Sequence, residues 1–141
     1  AKGHQLQSGI TIMDPYTGNI VGMVGAMGPK TQNLVDNYAV QKHQVGSSIK
    51  PLTVYSAALD AGAVTPATTF ANYPVELMNN SPWPKNSPNT YTGWTMIGEG
   101  VRRSINTIAV QTVEALGVAE SYAYATEKLG LSLARWCTCR T

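Results

Sequence analysis

The chain has 141 residues, of which 43% are hydrophobic and 13% charged, and its formal net charge is +2. This length can bury a core, and this hydrophobic content argues against a disordered chain. The small net charge, carried by scattered basic residues, excludes an electrostatic nucleic-acid surface, and no apolar run reaches the roughly 18 residues that a membrane helix needs. Cys137 and Cys139 cannot build a disulfide framework, and with His4 and His43 they make a poor zinc site. We therefore predict no metal, no cofactor, and no contact of this chain with nucleic acid or membrane.

The first part of the chain predicts a hairpin, a helix and a long loop. β-Branched residues on both sides of a turn rich in Asp, Pro, Thr and Gly predict a β-hairpin over residues 8–25. Apolar residues at steps of three and four predict a helix from about Ser47 to Gly62, where the glycine would end it. Residues 63–93 are rich in proline and predict a long loop, with one short strand around residues 75–77.

The second part predicts three helices and a tail. We expect a short helix over residues 96–103, a longer one over 104–116 and another over 118–129, the last two each followed by a glycine. Residues 131–141 have neither helical nor strand periodicity. We interpret residues 134–141 as an atypical tail that is not native to the fold.

Ser47 and Lys50 form a Ser-x-x-Lys pattern that occurs once in the sequence, at the start of a predicted helix. Residues three apart lie on one helical face, so the hydroxyl and the amine can meet. Serine needs a base to become a nucleophile, and lysine serves as one only when its pKa falls from about 10.4 toward neutrality. Burial and a helix N-terminus both lower that pKa, and the same N-terminus offers N–H groups to an oxyanion. The alternative is a helix cap followed by a surface lysine.

A second polar pair is needed to pass the proton to a leaving amine. Two Ser-x-Asn patterns are present, Ser87-Pro88-Asn89 in the proline-rich loop and Ser104-Ile105-Asn106 at the start of a helix. We favour Ser104 and Asn106, because a helix edge fixes their geometry whereas serine and asparagine are routine turn residues in a loop. The alternative for Ser104 is a plain helix cap.

These patterns together resemble the transpeptidase domain of penicillin-binding proteins, most closely the bifunctional class A type. The resemblance covers residues 8–133, and we interpret residues 1–133 as part of such a domain. It rests on five segments: residues 12–25, Gly46-Ser47-Ser48-Ile49-Lys50-Pro51, Trp83-Pro84-Lys85-Asn86, Ser104-Ile105-Asn106, and residues 105–110 followed by Leu116-Gly117.

The resemblance implies an α+β fold in which a helical cluster packs on an antiparallel sheet, here incomplete. It also implies a site in which serine accepts the acyl group, lysine takes its proton, and the second pair assists proton transfer and holds the substrate amide. The implied catalytic residues are Ser47, Lys50, Ser104 and Asn106, and the substrate-binding candidates are Trp83 and Asn86.

The implied reaction is attack on the D-Ala-D-Ala end of a peptidoglycan stem peptide, with loss of the terminal D-Ala and transfer of the acyl group to an amine of a neighbouring strand. β-Lactam antibiotics would acylate the same serine. The implied location is the extracytoplasmic face of the bacterial cell membrane, with the anchor and any glycosyltransferase domain lying outside this sequence.

The sequence departs from the family at its third motif, Lys-[Thr/Ser]-Gly, which does not occur. Lys30-Thr31-Gln32 is the nearest pattern, but it precedes Ser47 and lacks the glycine that permits close backbone approach. Two alternatives therefore stay open, a non-catalytic truncated remnant and a related serine hydrolase such as a β-lactamase or carboxypeptidase. With sheet strands missing, we also expect a low melting temperature.

Overall fold

The computed structural model describes residues 6–30 and 35–133. The predicted tail, residues 134–141, lies outside the described residues. The chain divides into two compact units, Ala1–Gln44 and Val45–Thr141. The first holds the predicted hairpin, and the second holds every predicted site residue.

The hairpin of the first unit is confirmed. Strands β1 (Ile10–Met13) and β2 (Ile20–Val24) pair antiparallel, with an irregularity between Ile12 and Met13. Asp14 shapes the turn, because one carboxylate oxygen accepts the backbone N–H of Tyr16 at 2.9 Å and the other accepts the hydroxyl of Thr17 at 2.7 Å. These two bonds also hold the pKa of Asp14 below its usual value. A short acidic residue at the first position of the turn thus fixes the register of the strands.

The helix predicted from Ser47 forms, but most of it is not a regular α-helix. Gly46–Ile49 is a 3₁₀ turn, Pro51–Tyr55 is a π-helical turn, and only α1 (Ser56–Asp60) is α-helical. Pro51 accounts for the 3₁₀ turn, because it has no N–H to donate to the Ser47 carbonyl. That carbonyl instead accepts the N–H of Lys50, which is a 3₁₀ bond.

The proline-rich segment contains more strand than predicted. Strands β3 (Thr69–Asn72), β4 (Glu76–Met78) and β5 (Ser81–Trp83) lie within it. β4 pairs antiparallel with β5, and β3 pairs with β6 (Gly93–Met96). Each strand has only three or four residues, which is too short for a recognisable alternation, and proline next to or within a strand normally argues against one.

The three later helices are confirmed with shifted bounds. They are α2 (Ile97–Arg102), α3 (Asn106–Leu116) and α4 (Val118–Ala123), and α4 continues into a π-helical turn, Tyr124–Lys128. α3 therefore begins at Asn106 and not at Ser104. None of the described helices is long and apolar enough to cross a bilayer.

The core of the second unit lies where the helical stretch after Ser47 meets α2 and α3. The hydroxyl of Tyr55 is enclosed there without a hydrogen-bond partner, and burial raises the pKa of Tyr55 to about 12. Helices combined with antiparallel strands confirm the α+β class, and the described strands form three separate two-stranded sheets. The buried apolar residues that form this core cluster are Tyr55, Ala58, Val64, Ile97, Ile105, Ile108 and Ala109.

Candidate active site

The amine of Lys50 contacts both residues of the favoured Ser-x-Asn pair. Its Nζ lies 2.9 Å from the Ser104 carbonyl oxygen, 3.2 Å from Ser104 Oγ and 2.5 Å from Asn106 Oδ1. These partners are 54 and 56 positions away in sequence. The fold thus brings the two sequence motifs together at one nitrogen atom.

The amide of Asn106 is held in one orientation. Its Nδ2 donates to the carbonyl oxygen of Lys85 at 2.7 Å, and a carbonyl can only accept. The other end of the amide, Oδ1, must therefore face Lys50, where it accepts a hydrogen bond. The hydrogen-bond partners alone therefore assign the oxygen and the nitrogen of this amide.

Ser104 reaches Lys50 because it ends α2 and does not open α3. Its φ angle is +53°, in the left-handed region that glycine usually occupies just after a helix. The Ser104 N–H donates to Val101 O at 3.1 Å, and the Ile105 N–H donates to Gly100 O at 2.9 Å. These two bonds define a Schellman motif with serine at its left-handed position. The prediction that Ser104 opens a helix was wrong, and the sharp turn it makes points both its carbonyl and its hydroxyl at Lys50.

The environment of Lys50 favours a neutral amine more than water does. Burial lowers the pKa of Lys50 from its usual value. A neutral amine has two N–H donors and one lone pair, and two of its three neighbours, Ser104 O and Asn106 Oδ1, can only accept. The lone pair is then left for a hydroxyl, and Ser104 Oγ at 3.2 Å is in reach. That Lys50 and Ser104 exchange a proton stays a prediction.

Ser47 is exposed on the 3₁₀ turn, one turn before Lys50. Side chains three residues apart eclipse each other in a 3₁₀ turn, so Ser47 and Lys50 share one side of it. The Ser47 hydroxyl has no hydrogen bond to the residues that the structure describes, whereas that of neighbouring Ser48 donates to Val45 O at 2.6 Å. That Ser47 and Lys50 exchange a proton stays a prediction. Hydrogen bonds between catalytic groups are often long without substrate and tighten when substrate binds.

The two substrate-binding candidates lie in different surroundings. Trp83, at the end of β5, lines an open cleft of about 380 Å³ together with Lys85 and the β4–β5 turn. Asn86 is buried, and both ends of its amide bond other parts of the chain. The substrate roles of both residues stay predictions.

The alternative pair is not part of this arrangement. Asn89 Oδ1 accepts the hydroxyl of Tyr91 at 2.7 Å on the surface. In the part of the chain that the structure describes, neither Ser87 nor Asn89 bonds Lys50. The preference for Ser104 and Asn106 as the pair beside Lys50 therefore agrees with the geometry.

An α+β fold that carries Ser-x-x-Lys and Ser-x-Asn at one site is typical of acyl-serine enzymes that act on penicillin. A family model, the penicillin-binding protein transpeptidase domain, matches residues 8–133. The chain belongs to this family.

Curated relatives agree with this assignment. The chain is 37% identical to penicillin-binding protein 1A of Clostridium botulinum (strain Hall) in an alignment of 136 residues that covers 90% of this chain and 16% of that protein. It is 35% identical to penicillin-binding protein 1A of Clostridium tetani over 92% of this chain and 17% of that protein. The protein of the same name from Vibrio cholerae is 38% identical over 81% of this chain and 14% of its own length. The chain thus spans less than a fifth of these relatives.

Proposed function

We propose that this chain carries the nucleophile of a serine D,D-transpeptidase that cross-links peptidoglycan. Membership of the transpeptidase family supports the class of reaction. The observation that carries the proposal is the position of the Lys50 amine, which lies against Ser104 and Asn106 from a distant motif. A surface lysine that only followed a helix cap would not be expected to bond three oxygens of Ser104 and Asn106, which are more than 50 residues away.

The first half of the reaction forms an ester on Ser47. Neutral Lys50 removes the Ser47 hydroxyl proton while Oγ attacks the carbonyl carbon between the two D-alanines of a stem peptide. The C–N bond to the terminal D-Ala then breaks, and the leaving nitrogen takes a proton from the hydroxyl of Ser104. Ser104 recovers a proton from the Lys50 ammonium, so Lys50 is neutral again and free D-Ala departs.

The second half reverses these steps with a different amine. The amino group of a neighbouring stem peptide attacks the ester, loses a proton to the same relay, and releases Ser47 as a hydroxyl. The Asn106 amide, oriented by Lys85, keeps Lys50 in place during both halves. β-Lactams enter at the first step, because their strained amide is attacked in the same way and the leaving nitrogen remains tethered to the acyl group.

The substrates imply a location. Peptidoglycan stem peptides are cross-linked outside the cytoplasm, so we place the chain at the extracytoplasmic face of the bacterial cell membrane. Its partners there would be stem peptides and, when present, β-lactam antibiotics. Both statements depend on the proposed reaction.

A fluorescent penicillin tests the proposal directly. We expect it to label the chain covalently on Ser47, with the label found on the peptide that contains residue 47. Ser47→Ala should abolish labelling, whereas Ser48→Ala, which removes the adjacent hydroxyl that bonds Val45 O, should retain it. Circular dichroism of each variant checks that the chain remains folded.

Three outcomes would contradict the proposal. A folded chain that takes up no label would support a non-catalytic remnant. Label that persists in Ser47→Ala would place the nucleophile elsewhere. Rapid release of hydrolysed β-lactam would indicate a serine hydrolase in place of a transpeptidase.

A further inference from the structure

We propose that Asn86 is a positioning residue that holds Asn106 in place, and that it is not a contact for substrate. For its effect on the reaction this inference rests on the proposed function. The structural part, that Asn86 caps α3 and fixes the residue at its first position, stands on the contacts alone.

α3 has no cap of its own. The residue before its first turn is Ile105, whose side chain cannot accept a hydrogen bond, and the first N–H groups of any helix lack partners within the helix. Asn86 supplies the missing acceptor from 20 residues away, because its Oδ1 accepts the N–H of Asn106 at 3.0 Å and that of Thr107 at 3.2 Å. A remote side chain thus does what a serine or aspartate at the helix start normally does.

The nitrogen of the Asn86 amide also has hydrogen-bond partners within the chain. Its Nδ2 donates to Asn72 Oδ1 at 2.7 Å and to the carbonyl oxygen of Thr90 at 2.9 Å. Asn72 Oδ1 also accepts the hydroxyl of Thr107 at 2.5 Å, so the network closes on the same helix. A buried amide whose donors and acceptor all have partners within the chain has nothing left to offer a stem peptide.

Two consecutive residues, Lys85 and Asn86, therefore each hold Asn106 by a hydrogen bond. The Lys85 carbonyl accepts from the Asn106 side chain, and the Asn86 side chain accepts from the Asn106 backbone. With both points fixed, Asn106 Oδ1 can only lie where it meets the amine of Lys50. Loss of the Asn86 side chain releases one point and lets the amide drift away from Lys50.

Three variants separate positioning from plain stability. Asn86→Ala removes the acceptor for both N–H groups. Asn86→Asp keeps an oxygen facing them, at a helix N-terminus where a negative charge is favoured, but replaces the amide donor to Asn72 and Thr90 with a second oxygen, so only a partial rescue is expected. Asn72→Ala, the matched control, disturbs the same buried network without touching the backbone N–H of Asn106.

We expect Asn86→Ala to slow labelling of Ser47 by a fluorescent penicillin by roughly ten- to a hundred-fold, since small displacements of a catalytic group have effects of that size. Hydrogen exchange followed by NMR should show faster exchange of the Asn106 and Thr107 amides in the same variant. Asn86→Asp should recover part of the labelling rate and of the protection. Asn72→Ala should lower the melting temperature about as much as Asn86→Ala does, because both remove hydrogen bonds from the same buried network. It should change the labelling rate less than about threefold.

Several results would overturn the inference. Unchanged exchange of both amides in Asn86→Ala would mean that Asn86 is no cap. An Asn72→Ala variant that labels as slowly as Asn86→Ala would mean that the network acts through stability alone. If the unmodified chain takes no label, the proposed function fails, while the exchange experiment still decides whether Asn86 holds Asn106.

Discussion

Ser104 illustrates how much a single backbone angle decides at the scale of a residue. In its left-handed conformation, both its carbonyl and its hydroxyl lie against the same amine. The conformation costs a residue other than glycine about 1 kcal/mol, and glycine at this position would remove the hydroxyl. Under the proposed reaction the relay uses this oxygen, and local backbone strain of this kind is common at functional positions.

The lowered pKa of Lys50 makes acylation depend on pH. Because the folded state favours the neutral amine, the reactive form accumulates at a lower pH than for a free lysine. We expect the rate constant for labelling by a fluorescent penicillin to rise with pH and to level off below the ordinary lysine value of 10.5. Rate constants measured between about pH 6 and pH 11 give the inflection.

Lys50→Arg is the control for that profile. A guanidinium keeps its charge throughout this range, so the variant should react slowly at every pH. A flat profile for the unmodified chain, or an inflection at or above 10.5, would contradict Lys50 as the base.

The lowered pKa of Lys50 also makes the stability of the fold depend on pH. Between the lowered pKa and 10.5 the unfolded chain binds more protons, so the contribution of Lys50 to stability increases as pH rises through that window.

At the scale of elements, α2 and α3 approach closely at one glycine. A Cβ added at Gly100 would lie 2.6 Å from Ile108 Cγ2, a side chain that is fully buried and cannot move aside. We expect Gly100→Ala to lower the free energy of unfolding by about 1–3 kcal/mol, as overpacking does. Urea unfolding followed by circular dichroism measures the change.

Gly98, in the same helix, provides the matched control. The nearest atom to its added Cβ is Pro66 O at 3.7 Å, which is an ordinary contact. Gly98→Ala should therefore raise the free energy of unfolding by up to about 1 kcal/mol, through helix propensity alone. Equal effects at the two glycines would show that α2 and α3 do not pack as described.

The elements also show what sequence reasoning can and cannot reach. The 3.6-residue period of α3 and the turn chemistry at Asp14 are local signals, and both elements were predicted. Strands of three or four residues carry too few positions for a period, so β3, β5 and β6 were missed. The left-handed angle of Ser104 depends on where α2 ends, and the cap from Asn86 joins residues 20 apart, so neither has a local signature.

The candidate site shows the same difference between local sequence signals and contacts that the tertiary fold creates. Ser47, Lys50, Ser104 and Asn106 were singled out because their spacing is a motif, and three of the four meet at one nitrogen. The Trp83 to Asn86 segment was singled out only by resemblance, which gave no reason for the contact between Lys85 and Asn106. A motif predicts which residue types gather, and the contacts between them come from the tertiary fold.

At the scale of the whole molecule, the hairpin of the first unit and the helix α3 of the second differ in how well their apolar side chains are buried. Ile10, Ile12, Ile20 and Val21 of the hairpin are each more than half exposed, whereas Ile108 in α3 is fully buried. An isolated two-stranded hairpin is marginally stable in water.

We expect backbone amides of β1 and β2 to exchange with solvent at least about tenfold faster than those in the middle of α3. Hydrogen exchange measured by NMR on the whole chain compares them in one sample. Equal protection in the two units would contradict the description of the hairpin as an uncovered element. A cooperative melting transition above about 60 °C would likewise contradict the low stability expected of this chain.

Pro51 has a consequence that reaches beyond its own turn. An imino acid placed directly after Lys50 denies the Ser47 carbonyl its ordinary helical partner, whatever the surroundings do. The N–H of Lys50 is the donor that this carbonyl finds nearby, and the resulting 3₁₀ bond places the side chains of Ser47 and Lys50 on the same side of the turn. For as long as that single turn survives, the two side chains would keep facing the same way, even where heat or denaturant has loosened the core.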